Sequence, residues 1–273
     1  MTAKSDLTSS LALIRRVDAT AIAYTVARLQ VLERIPGNPV GAARFEIGDA
    51  IALSAQKLPS PSFNRVVGLR AGQAQHIQPL VEWRRQRGGG GSFEIAAGDC
   101  DAEMGRELAR LGFFQSGFHA ALIGAPDAAV PASSEIKVDL VASAPDMEAF
   151  LAAYVTGWDI PEAARDQFKV NVRPWLGQPG WRLYVARIDD RPIASAILFF
   201  HRGVGYFADS STDPAFRKRG VHAALLARRM QDASDAGVDF VCSGADFLST
   251  SHRNMERAGM RLLFLRAIWT SLA

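Results

Sequence analysis

Cysteine is scarce in this 273-residue chain, which has two, Cys100 and Cys242. They fall in separate predicted strand regions and support neither a disulfide framework nor a zinc site. No metal is expected, and a reducing cytoplasm is the expected setting. Long apolar runs are also missing. The longest, Ile193–Phe200, has the length of a strand and is too short to cross a bilayer. Near the start, the short Leu11–Ile14 patch runs into Arg15-Arg16, which argues against a secretory signal. Charge of one sign is in small excess, +3 with a pI near 9.1. That suits an anionic ligand. It does not suit nucleic acid, because no basic run interleaved with aromatics occurs. Neither glycine fingerprint of the nucleotide-binding folds follows a strand, so Rossmann and P-loop chemistry are disfavoured.

A hydrophobic share of 48% against 22% charged is that of a globular chain with a full core, and the length suits two domains. Ala125–Ser134 is small, Pro-bearing and without periodicity, and reads as a linker. The expected division is residues 1–128, a linker at 129–135, and residues 136–273.

In the second half, Ile136–Ala142 reads as a strand, and Ser143 with Asp146 as a capping-box-like helix start. Met147, Phe150, Leu151, Tyr154 and Val155 then make one apolar stripe. Pro161 opens a second helix, to about Trp175. Trp181–Ile188, Pro192–Phe200 and Gly205–Thr212 follow as strands joined by short polar turns, an antiparallel meander. A helix over about Val221–Ala236 comes next, with Gly237 as its cap. Then come an apolar strand at Asp239–Ala245, a helix from about Ser251 to Gly259 and a last strand at Arg261–Thr270.

The most informative segment lies between the third meander strand and the helix after it: Ser211-Thr-Asp-Pro-Ala-Phe-Arg-Lys-Arg-Gly220. It aims unpaired N–H groups, the positive end of a helix dipole and three cations at one point, a place for a phosphate-bearing ligand. Gly220 removes a side chain where backbone and phosphate must approach. By itself an Arg-Lys-Arg-Gly turn is more often solvated; the strands before it and the helix after it tip the reading.

Arg217-x-x-Gly220-x-His222 resembles the Q/R-x-x-G-x-G/A pyrophosphate loop of the GNAT acyltransferases, and Thr212-x-Pro214 resembles the strand end that precedes it. Ser249–Met260, with Ser251-x-Arg253-Asn254-Met255-Glu256-Arg257-Ala258-Gly259, is similar to the family's terminal helix. The likeness covers about residues 136–273. It implies an α/β fold (an α+β mixed sheet) of two GNAT-like domains, each a central mixed β-sheet flanked by helices, and acetyl-CoA as cosubstrate. Ser210, Ser211, Thr212, Arg217, Lys218, Arg219, Gly220, Val221, His222, Ala223 and Asn254 are the implied cofactor-binding residues. Tyr206 and Asp209 are the catalytic candidates, with a backbone donor between Asp209 and Ser211 facing the thioester carbonyl and Asp239–Ala245 splaying away to admit the pantetheine arm. Two departures stand out. His222 replaces a small residue, and Met255 occupies the position where many members carry a tyrosine acid. His201 and His252 are further polar candidates, with bland readings as a solvated turn residue and a helix-start residue.

The first half echoes part of this order. Phe63–Leu69 is strand-like, Gln73–Arg87 helical, Ser92–Ala97 strand-like, Asp101–Leu111 helical, and Phe118–Ile123 a closing strand. We read it as a degenerate copy. Gly68–Gly72 has one cation where the phosphate loop would stand, and Gly88–Gly91 reads as a flexible turn. The expected function is N-acylation of a small-molecule or peptide amine by acetyl-CoA. The alternative is a non-catalytic acyl-CoA sensor. Neither membrane nor nucleic acid is an expected partner, the acceptor is not readable, and a homo-oligomer is compatible with the sequence.

Overall fold

A computed structural model describes residues 7–58, 60–127, 130 and 133–272, so the expected linker lies partly outside the described residues. In chain order the elements are α1 (Leu11–Glu33), β1 (Ala42–Ile47), β2 (Ala50–Ala55), β3 (Arg65–Val67), α2 (Ile77–Gln86), β4 (Ser92–Ala96), α3 (Ala102–Arg110) and β5 (Phe113–Gly124). They continue with β6 (Lys137–Leu140), α4 (Ala144–Gly157), α5 (Glu162–Val172), β7 (Trp181–Ile188), β8 (Arg191–His201), β9 (Val204–Thr212), α6 (Val221–Asp235), β10 (Phe240–Asp246), α7 (Thr250–Arg257) and β11 (Arg261–Ser271).

The chain forms two compact units. The first holds Leu7–Ala121, Ala245–Phe247 and the chain from Leu262 on; the second holds Leu122–Gly244 and Leu248–Arg261. The expected boundaries assign the last strand to the second domain, whereas nearly all of β11 packs with the first unit, paired antiparallel to β4 from Arg266–Ala96 to Thr270–Ser92.

In the first unit the strand order β1-β2-β3-β4-β11 is mixed, β3 and β4 being parallel. One sheet face packs Val66, Phe93 and Ile95 against Ile77 and Leu80 of α2 and Met104 and Leu108 of α3. Under α1 the interior is partly ionic. Arg266 meets Asp18 at 2.9 Å, Arg70 meets Asp18 at 3.2 Å and Asp99 at 2.8 Å, and Arg65 pairs with Glu94. Burial raises the Glu94 carboxyl, but Arg65, His119 and Arg266 outweigh it and hold the group below its ordinary value. The single cation of the Gly68–Gly72 loop, Arg70, is thus spent inside the unit, and Gly72 N–H donates to Asp101 Oδ2 at 2.7 Å. The four-glycine stretch also has a packing role. Cβ atoms at Gly89 and Gly91 would lie 2.6 and 2.9 Å from the guanidinium of Arg84, which is 3% exposed and donates to Leu53 O at 2.7 Å.

The second unit has the order β10-β9-β8-β7-β6, antiparallel except for the β9–β10 pair. Helix α4 covers one face. Its start carries the expected box: Ser143 Oγ accepts from Asp146 N–H at 3.3 Å and donates to Asp146 Oδ2 at 2.6 Å. Helix α6 covers the other face and is held there by polar anchors. Tyr184 donates to Asp232 at 2.7 Å, and Arg228 donates to Asp232 at 3.0 Å and to Val138 O at 2.8 Å. Arg229, 1% exposed, bonds Leu225 O and Ile197 O and lies over the Phe207 ring. Burial and Asp232 push the Tyr184 hydroxyl far above its ordinary value, so it stays a donor.

Candidate acyl-CoA site

Strand β9 is irregular where it matters. Ser195 pairs with Ser211 and Ile197 with Ala208, so two residues on β9, Asp209 and Ser210, stand opposite one on β8, Ala196. This is a β-bulge at Asp209–Ser210, with Asp209 at φ +44°. Because Ser195 and Ile197 share a face, so do Ser211 and Ala208, and the bulge leaves backbone groups out of the ladder between them. The face is that of α4: a Cβ on Gly157 would lie 2.4 Å from Ser211 Oγ, itself 2.9 Å from Ser195 Oγ. Ser211 is therefore buried, and its hydroxyl is engaged inside the unit.

On the other edge, β9 runs parallel to β10 from Val204–Phe240 to Phe207–Ser243, and Ser243 Oγ closes the pairing with a 2.8 Å bond to Phe207 O. No registered pair follows among the described residues, although both strands run on. The pairing thus ends just before the bulge.

Beyond Thr212 the chain turns through Asp213, which caps the 3-10 turn Pro214–Phe216 by accepting from Ala215 N–H at 2.9 Å. Arg217 folds back, its Nε 3.3 Å from Thr212 O, and Lys218 has φ +63°. Gly220 then starts α6 at φ +80°, a left-handed conformation that suits glycine, with no side-chain cap. The first helical bond at this end runs from Ala224 N–H to Gly220 O at 3.0 Å. A helix start leaves the N–H groups of Val221, His222 and Ala223 without intrahelical acceptors. A Cβ on Gly220 would meet nothing within 4 Å, so the space before the helix is open.

His222 turns inward. Its Nδ1 is buried, and burial together with Arg229 lowers its pKa to about 4, so the ring is neutral at pH 7. Asn254, on α7, accepts from Arg257 Nη1 at 2.7 Å. Met255 is 2% exposed and belongs to the core. His252 is structural: its ring Nδ1 accepts from Leu248 N–H at 3.0 Å, and its backbone N–H donates to Oγ of Ser249, the N-cap, at 3.2 Å. His201 ends β8 stacked on Phe199, with its pKa lowered by burial and then by Arg202. Tyr206 is half-buried and pairs in register with Phe199 and Cys242. Among the described residues no cluster of His, Cys, Asp and Glu could hold a metal.

The loop, the bulge and the end of the β9–β10 pairing thus lie along the last residues of β9 and the chain after it. Residues 128–248, which contain all three, match the family described as the acetyltransferase (GNAT) domain. Over those residues the chain is similar to the GNAT acetyltransferase domain. Solved structures share its fold over nearly the whole length. A GCN5-related N-acetyltransferase from Kribbella flavida is 18% identical, with 93% of this chain and 96% of that one covered at a TM-score of 0.65. One from Sphaerobacter thermophilus is 17% identical, with 92% and 91% covered at 0.60. A functionally unknown conserved protein from Staphylococcus epidermidis is 12% identical, with 88% and 99% covered at 0.64. At these identities the likeness is one of fold. No curated protein matches the chain. The GNAT match ends before α7, so Asn254 lies outside it. Sequence reasoning missed Gly157 and Ser195, which fix the bulge from below; Gly157 is detectable only as a glycine at a helix end.

Proposed function

We propose that the GNAT domain binds acetyl-CoA and transfers its acetyl group to an amine in a ternary complex. The observation that carries this reading is the uncapped α6 start at Gly220, with three cations before it, at the same strand end as the β9 bulge. The free N–H groups, with Arg217 and Lys218, suit a pyrophosphate, and Arg219 is a further proposed cofactor contact away from it. The end of the β9–β10 pairing suits entry of the pantetheine arm, and a bulge N–H near Ser210 suits the thioester carbonyl. Thr212, next to the loop, and Asn254, on α7, are the remaining proposed cofactor contacts. The amine nitrogen attacks the carbonyl carbon, the C–S bond breaks, and the thiolate leaves with the proton the amine gives up. Tyr206 and Asp209, on the bulged strand, are the proposed proton-handling groups. No described helix is long and apolar enough to cross a membrane.

A second reading has its own observation. Met255 is buried where many GNAT members carry an acid, which favours acyl-CoA binding without turnover. We read the first unit as a degenerate copy of the domain whose loop cation serves its own core.

Calorimetric titration with acetyl-CoA, with CoA and ATP as controls, followed by thiol release over an amine panel, tests these readings. Selective micromolar binding with thiol release supports the transferase, binding without release supports the sensor, and no binding removes both. Gly220→Glu should abolish acetyl-CoA binding with the melting transition retained. Normal binding by that variant would show the site to be elsewhere.

A further inference from the structure

Phe216, half-buried at the end of the 3-10 turn, holds two guanidinium groups. The Arg191 carbon Cζ lies 4.8 Å from its ring centroid and that of Arg219 lies 5.4 Å away. Exposed arginines ordinarily spread into water, and two of like charge gathered on one ring repel each other. One carboxylate answers them: Asp213, 7% exposed, pairs with Arg191 at 3.2 Å. Among the described residues no carboxylate lies within ion-pair distance of Arg217, Lys218 or Arg219. Four exposed cations, answered by one buried carboxylate, therefore gather before Gly220, beside the positive end of α6. A pyrophosphate seated on the helix start draws on the N–H groups of Val221–Ala223. The cation pair on Phe216 lies upstream of those donors and is left over.

We propose that Arg191 and Arg219, oriented by Phe216, clamp the 3′-phosphate of coenzyme A, so that this chain distinguishes CoA from 3′-dephospho-CoA. The proposal rests on the acetyl-CoA reading above. Its chemistry is that of a phosphomonoester dianion, which two planar guanidinium groups can each meet with paired N–H donors. Asp213 acts through Arg191 and is a positioning residue. It also ties the β7–β8 turn, from which Arg191 projects, to the loop before α6. None of this depends on Arg217, which is turned back on Thr212.

The test is calorimetric titration of the full chain with CoA and with 3′-dephospho-CoA at fixed ionic strength. CoA should bind at least about 10-fold more tightly, the scale of one charge-assisted contact. Arg219→Ala and Arg191→Ala should each weaken CoA toward the dephospho value and leave 3′-dephospho-CoA within about twofold of its parent affinity. Phe216→Leu keeps every cation and removes the platform, so it should reduce the same discrimination. It also guards against a collapse of the loop in the Arg191 variant, and melting curves establish that each variant is folded. Equal affinity for the two ligands in the parent protein overturns the clamp and leaves the acetyl-CoA reading standing. Equal weakening of both ligands by the arginine variants also overturns it, since that marks general attraction. If neither ligand binds the parent protein, both the clamp and the reading beneath it fall.

Discussion

At the position of His222 the GNAT pattern has a small residue, and the structure holds the larger ring with its Nδ1 buried. The consequence can be measured. The folded pKa is about 4 against an ordinary 6.5, so between those values the unfolded chain binds a proton that the folded chain refuses. Stability from this group is complete above pH 6.5 and is lost as the pH falls toward 4. His222→Gln should therefore show a shallower loss of unfolding free energy between pH 6.5 and 4.5 than its parent in urea titrations. Equal slopes would mean that the imidazole is not buried as described. Between pH 6.5 and 8 the ring adds no charge to the loop, so acetyl-CoA affinity should not follow a histidine titration there.

Among the elements, the end of α4 lies too close to β9 to admit a side chain without a shift. A Cβ on Gly157 would come within 2.4 Å of Ser211 Oγ and 3.0 Å of the Ser211 carbonyl carbon. Rotating the hydroxyl does not relieve the backbone contact, so Gly157→Ala should cost about 1–3 kcal/mol, readable by urea unfolding. A neutral result would mean that α4 can lift from the strand at no cost. That contact is not readable in the sequence, where Gly157 is one more glycine near a helix end. The meander, α6 and the loop are readable, because apolar periodicity, turn residues and a basic Gly stop agree locally. Helix α1 escapes for a physical reason: its buried face includes Asp18, Thr25 and Arg28, so polar residues sit where a core stripe is sought. The hairpin β1–β2 carries a short local signal, the Gly48-Asp49 pair between its two strands, with Gly48 at φ +60°. The bulge is invisible to pattern, since it depends on the register between two strands that each look regular alone.

At the scale of the whole chain, sequence order and compact unit part company at both ends of the GNAT domain. Leu122 and Ile123, each fully buried, belong to the second unit although they finish a strand begun in the first, and Gly124 packs on Met260. The chain from Leu262 on returns to the first unit, where Arg266 pairs with Asp18 and its strand with β4. A fragment cut at the linker, residues 136–273, would carry β11 without its partner and lack Leu122–Gly124. An unpaired apolar strand seeks other chains. The fragment should therefore unfold at lower urea concentration than the full chain and bind a hydrophobic dye while folded. Loss of acceptor preference in it would then reflect damage to the domain and could not be assigned to substrate contacts by the first unit. A fragment of residues 122–261 keeps the second unit's own pieces and should be the more stable of the two in the same titration. If residues 136–273 proved the more stable and stayed monomeric, the exchange of strands between units would carry no energetic weight.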